Sequence, residues 1–175
     1  NMKKDVFKIK EILNVSPQET AIAPNLTVKE NLEFMAGVYQ IKAKEKKIDE
    51  LIKQFKLDEV LNKKAKTLSG GWQRKVSIAI SLINDPKILF LDEPTLGLDV
   101  IARKELWKII NSLKGKITII LTTHYMEEAE SLSDRIGIMA NGKLIDIGTS
   151  QELIKKTKAK NFEDAFVSIA TGGEL

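Results

Sequence analysis

The chain has 175 residues, 43% hydrophobic and 30% charged side chains, one histidine and no cysteine. It can bury one real core, and a disulfide framework, a cysteine zinc site and a multi-histidine metal site are all excluded. The net charge of +4 is uneven, because residues 1–75 carry 16 Lys/Arg against 10 Asp/Glu and the rest carry 12 against 14, leaving +6 and −2. No apolar run reaches 18 residues and the start, Asn1-Met2-Lys3-Lys4-Asp5, lacks a signal-peptide stretch, so a cytoplasmic chain is expected, with any membrane role played through a partner.

Ile12-Leu13-Asn14-Val15 is a short strand candidate closed by Ser16-Pro17-Gln18, where Pro17 stops a ladder. Thr27 and Glu30 then form the N-cap and third position of a capping box. From there to about Asn62 the spacing is helical, with Leu32, Met35, Ala36 and Tyr39 on one face and Ile48, Leu51, Ile52 and Phe55 on another. The lysines of this stretch read as a solvated helical surface. Lys42-Ala43-Lys44-Glu45-Lys46-Lys47 mixes signs and interleaves no aromatic rings, so nucleic-acid binding is not expected.

Ser69-Gly70-Gly71 opens the next helix, whose Val76, Ile80 and Ile83 keep helical spacing until Asp85-Pro86 breaks it. The rhythm then changes to short apolar runs at Ile88–Leu91, Ile117–Leu121 and Ile136–Met139, of the kind buried on both faces of a sheet. Helical stretches at Val100–Leu113 and Glu127–Leu132 alternate with the first two runs, which predicts a parallel α/β sheet. Asn141-Gly142 marks a hairpin turn between Ile136–Ala140 and Lys143–Ile147. That turn also disposes of Gly137–Leu144 as a phosphate loop, since Leu144 offers no hydroxyl where a metal would need one.

Four features carry chemistry. Asp92 and Glu93 emerge where a buried strand ends at Pro94, a place where adjacent carboxylates suit magnesium binding and activation of a water. Ser69-Gly70-Gly71 sets unpaired backbone N–H groups at a helix start where glycines allow a phosphate close. His124 follows a second strand, and Gln18 follows the first, so both would sit on the same rim. A Gly-x-x-x-x-Gly-Lys-Ser/Thr loop is nowhere in the 175 residues.

In this order the residues resemble the ATP-binding subunit of ABC transporters over nearly the whole chain. Gln18 resembles the Q-loop glutamine, Leu68-Ser69-Gly70-Gly71 the signature motif, and Ile88–Asp92 the Walker B strand. Glu93 resembles the catalytic glutamate, Leu98-Asp99 the D-loop, and His124 the switch histidine. The resemblance implies an α/β fold, a partial P-loop NTPase (RecA-like) parallel sheet core at 1–24 and 86–175 with a C-terminal hairpin and helix. An all-helical ABC subdomain is inserted at 25–85.

The resemblance also implies ATP and Mg2+ as the bound species. Asp92 would hold the metal through water, Glu93 would polarise the attacking water, and His124 would steady the γ-phosphate. Gln18 would sense both metal and water, while Ser69, Gly70, Gly71 and Asp99 would contact nucleotide across a head-to-tail homodimer or heterodimer. The 25–85 lobe would dock on a transmembrane permease subunit at the inner face of a bacterial plasma membrane. The tail Asn161-Phe162-Glu163-Asp164-Ala165-Phe166 resembles that of exporter-type ATPase subunits, and 25 Lys against 3 Arg fits an A+T-rich genome. Other readings are a soluble ABC ATPase acting on DNA or ribosomes, and a non-catalytic interaction module.

Two features depart from the family pattern. Trp72 stands where the signature usually has Gln. The family's N-terminal part, with its adenine-stacking aromatic and phosphate loop, is not in the sequence. A truncated piece of a longer ATPase is therefore expected, inactive alone and prone to self-associate through exposed sheet edges.

Overall fold

The computed structural model describes residues 5–172. It divides into two compact units, Asn1–Thr122 and Thr123–Leu175.

The first unit is built on a three-stranded parallel sheet of order β1-β2-β3, with β1 at Leu13–Ser16, β2 at Ile88–Asp92 and β3 at Thr118–Thr122. The register sets Ser16 beside Leu91 and Asp92 beside Thr122, so the carboxyl ends of the strands share one rim. A short helix not anticipated from sequence, α1 at Val6–Ile12, precedes β1. The expectation of strands buried on both faces does not hold. Leu89 and Leu91 are 0% and 1% exposed, whereas Val15 and Ile120, aligned through Phe90, are 48% and 46% exposed. One face of the sheet is packed and the other carries an open apolar row.

Between β1 and β2 lies helical structure. In α2 (Val28–Val38) the capping box forms as the sequence predicts: the Glu30 N–H donates to Thr27 Oγ1 at 3.2 Å, and the Thr27 N–H donates to Glu30 Oε2 at 2.7 Å. In α3 (Lys44–Phe55) all four predicted apolar residues, Ile48, Leu51, Ile52 and Phe55, are buried. That helix ends in a left-handed residue, Lys56, rather than running on, and the chain returns through two 3-10 turns. The returning segment is held where the Ala65 N–H donates to the Leu26 carbonyl at 2.9 Å and the Val28 N–H to the Lys63 carbonyl at 3.1 Å. Then α4 (Gly70–Ser81) runs buried along its length from Arg74 onward and crosses under β1, where Ser77 Oγ lies 3.3 Å from Ser16 Oγ. The helix α5 (Val100–Leu113) buries Leu106, Trp107, Ile110 and Leu113.

The second unit contains α6 (Met126–Leu132), the antiparallel hairpin β4 (Ile136–Ala140) and β5 (Lys143–Gly148), α7 (Ser150–Thr157) and α8 (Phe162–Ala170). Asn141 and Gly142 both have positive φ, 49° and 72°, as a two-residue primed turn requires. Ala129, Ile136, Ile138, Leu153 and Phe162 form its core. Among the described residues no helix is long and apolar enough to cross a membrane.

Candidate functional site

The four apolar residues of β2 deliver Asp92 to the open rim, and the neighbouring strand fixes it there. Thr122 Oγ1 donates to Asp92 Oδ1 at 2.5 Å. The same residue holds the next one, because the Glu93 N–H donates to the Thr122 carbonyl at 3.1 Å and lies 3.3 Å from its hydroxyl. Glu93 takes φ 45°, in the left-handed region that a non-glycine residue seldom occupies. Such backbone clusters at functional sites, where surrounding structure enforces it. Here the enforcement comes from Thr122 on one side and a turn on the other, the Leu96 N–H donating to the Glu93 carbonyl at 3.2 Å. The turn passes Gly97 at φ 74° and ends at Asp99, whose carboxylate caps α5 by accepting from the Ile101 and Ala102 N–H groups at 2.9 and 3.0 Å.

Ser69 occupies the N-cap of α4, yet its side chain makes no capping hydrogen bond. The two glycines that follow differ in purpose. A Cβ on Gly71 would lie 3.1 Å from Ala102 Cβ, so its lack of side chain lets α4 and α5 approach. A Cβ on Gly70 would meet nothing within 4 Å, so its bare backbone faces open space. Beyond them, Lys75 sits 4.4 Å from the centre of the Trp72 ring and 2.7 Å from Glu105 Oε2. The hydrogen bond from Lys75, helped by its charge, holds the Glu105 carboxyl below the usual carboxylate range.

Gln18 is exposed on the loop after β1. Its carbonyl and that of Pro17 both accept from the guanidinium of Arg74, the Pro17 contact at 2.6 Å. Gln18, Gly70, Gln73, Arg74 and Leu98 border one cavity of about 460 Å³. A larger cavity, about 830 Å³, opens at the opposite ends of the strands beside Lys47, Asp85, Lys87 and Lys116, and none of the candidate site residues lines it.

Of the predicted residues, the structure brings Gln18 and Gly70 to one cavity and joins Asp92 to Glu93 through Thr122. His124 belongs to the second unit, where its ring centre lies 4.2 Å from that of Tyr125. Among the described residues no group of three or more His, Cys, Asp or Glu side chains is arranged to hold a metal. One oriented carboxylate fits magnesium nonetheless, since that ion keeps several waters and is bound by one or two carboxylates plus phosphate oxygens. Sequence reasoning missed Thr122 and Arg74. The pair Thr122-Thr123 was a visible polar signal at a strand end, whereas Arg74 gave no signal within its helix.

The family description "ABC transporter" matches residues 2–96. The chain is 44% identical over 154 residues to ABC transporter A family member 12 of Arabidopsis thaliana, covering 86% of this chain and 17% of that protein. It is 41% identical over 156 residues to the phospholipid-transporting ATPase ABCA3 of Homo sapiens, covering 87% of this chain and 9% of that protein. With the probable multidrug ABC transporter ATP-binding protein YbhF of Escherichia coli (strain K12) it shares 39% identity over 166 residues, 93% of this chain and 28% of that protein. The chain thus spans less than a third of the length of these curated relatives. A solved structure of the ATP binding subunit of an ABC transporter superposes with a TM-score of 0.82 at 25% identity, covering 97% of this chain and 72% of that one.

Proposed function

The chain belongs to the ABC transporter family, and on that premise we propose that it supplies the ATP-responding parts of a transporter's ATPase, of exporter type, acting on a separate membrane subunit. The observation that carries this reading is Gly70. It opens a helix at a point where even a Cβ would meet nothing within 4 Å, beside an N-cap serine whose hydroxyl is not spent on the cap, on a cavity shared with Gln18. Helix starts of this kind attract phosphate through unpaired N–H groups and the helix dipole.

In the proposed roles, Asp92 holds Mg2+ through water, with Thr122 keeping its carboxylate aimed. Magnesium supplies charge neutralisation on the phosphates. Glu93, held in the left-handed region at the end of β2, accepts the proton of the attacking water. Gln18 contacts the metal and that water, and His124 contacts the γ-phosphate. Ser69, Gly70 and Gly71, with Asp99 nearby on the α5 cap, serve a nucleotide held by a second subunit in a head-to-tail homodimer or heterodimer.

We further propose that residues 25–85 act as the lobe that docks on the permease, with 1–24 and 86–175 forming the core, at the inner face of a bacterial plasma membrane. The relatives' names carry different cargo, phospholipid and multidrug, which suits a domain that does ATP chemistry while another part selects what moves. The 175 residues contain no phosphate loop, so by themselves they are proposed neither to bind ATP tightly nor to hydrolyse it.

The test is Gly70→Asp in the full gene product. Space is available for the side chain, so the melting temperature should hold while Mg-ATP-driven dimerisation and turnover are lost through charge repulsion with phosphate. Turnover at the unsubstituted rate would contradict the reading.

A further inference from the structure

The guanidinium of Arg74 is a buried charge that the proposed chemistry does not use. Arg74 is 4% exposed, one turn into α4 from Gly70. It spends its fork on two consecutive carbonyls of a different segment, Nη1 donating to Pro17 at 2.6 Å and Nη2 to Gln18. Burying a charge is costly unless it is well hydrogen-bonded, and a loop could be packed against a helix with apolar groups at no such cost. What a planar two-pronged donor adds is a fixed orientation for two successive peptide units, which a single ammonium cannot impose. One turn further along α4, Ser77 meets Ser16 at 3.3 Å. Residues 16–18 are therefore fastened to successive turns of the helix that begins with the glycines. Gln18 and Gly70 in turn border the same cavity.

We propose that Arg74 is a positioning residue that makes the Gln18 loop and the Ser69–Gly71 helix start a single rigid body, so that a displacement at either one is delivered to the other. The second half of the inference rests on the function proposed above: in a head-to-tail dimer Gln18 serves the subunit's own nucleotide and Ser69–Gly71 serves the neighbour's. Arg74 then links the two ATP sites mechanically.

Hydrogen exchange read by mass spectrometry in the full gene product separates the two halves. Without nucleotide, Arg74→Gln should speed exchange in residues 17–22 by about tenfold or more while β2 is unchanged. Arg74→Lys, which restores a charged donor without the planar fork, should recover part of the protection. A merely structural arginine would lower the melting temperature and leave residues 17–22 no faster than the rest. With Mg-ATP, the unsubstituted protein should protect residues 17–22 and 69–73 with one shared concentration midpoint, and Arg74→Gln should split it into two. Unaltered exchange at 17–22 in both variants overturns the tether. Faster exchange with a shared midpoint retained overturns the linkage between sites. If Mg-ATP protects neither segment of the unsubstituted protein, the ATP reading fails and takes the linkage with it, and the tether is decided by the nucleotide-free result.

Discussion

Gly70 and Gly71 are adjacent glycines with opposite reasons to be glycine, and substituting each tests which reason is which. Gly71→Ala forces a Cβ to 3.1 Å from Ala102 Cβ, so α5 must give by a few tenths of an ångström, a cost that offsets the gain from replacing a helical glycine. Gly70→Ala meets no atom, and at the first position of α4 it should stabilise by somewhat less than the roughly 0.5–1 kcal/mol of a helix interior. Gly70→Ala should therefore melt at a higher temperature than Gly71→Ala. Thr122 supports a second prediction, because its hydroxyl is the donor that aims Asp92. Thr122→Val should raise the Mg2+ concentration needed for half-maximal ATPase by about tenfold or more, as loss of a group that orients a metal ligand does, with little change in melting temperature. Asp92 and Glu93 were legible in the sequence because an apolar strand ending in acids is a local pattern. Thr122 and Arg74 act across 30 and 56 or 57 residues of chain, and no periodicity carries such a pairing.

Helices declare their starts locally, and the capping box read at Thr27 and Glu30 forms. Thr27 and Glu30 close a box at α2, as Thr149 and Glu152 do at α7. The backbone hydrogen bond from Thr27 is the chief reason that the Glu30 carboxyl titrates below its ordinary 4.5, and the bond from Thr149 does the same for Glu152. A carboxyl depressed in the folded state adds stability that is complete above its unfolded value and lost as pH falls through its folded one. The melting temperature should therefore decline as pH drops below about 4.5, and the double variant Glu30→Gln, Glu152→Gln should show a shallower decline over that window. Asp99→Ala, which removes both side-chain bonds at the α5 cap, should cost about 1 kcal/mol in denaturant unfolding. The strands were legible as elements but not in their burial. A run such as Ile88–Leu91 fits two covered faces equally well, and whether a face is covered depends on what packs there, which a single strand does not encode. The helix α1 gives little signal in the sequence, because Val6, Ile9 and Ile12 form an apolar stripe less than two turns long.

At the scale of the molecule, the apolar row Val15, Phe90 and Ile120, its two ends exposed and Phe90 half-buried between them, is the feature with the largest consequence. Uncovered apolar faces and unpaired edges promote association. The 175-residue chain should sediment with a concentration-dependent mass, and Ile120→Lys should shift it toward monomer. Calorimetric titration of the same chain with Mg-ATP should show no micromolar site, since no phosphate loop lies within it. The central claim is that Glu93 does chemistry on a nucleotide beside Asp92, and the rate of Mg-ATP hydrolysis by the full gene product carrying Glu93→Gln tests it most directly. Turnover should fall by about 10²-fold or more, as for loss of a general base, with ATP still bound; turnover within about twofold of the unsubstituted protein would contradict the account.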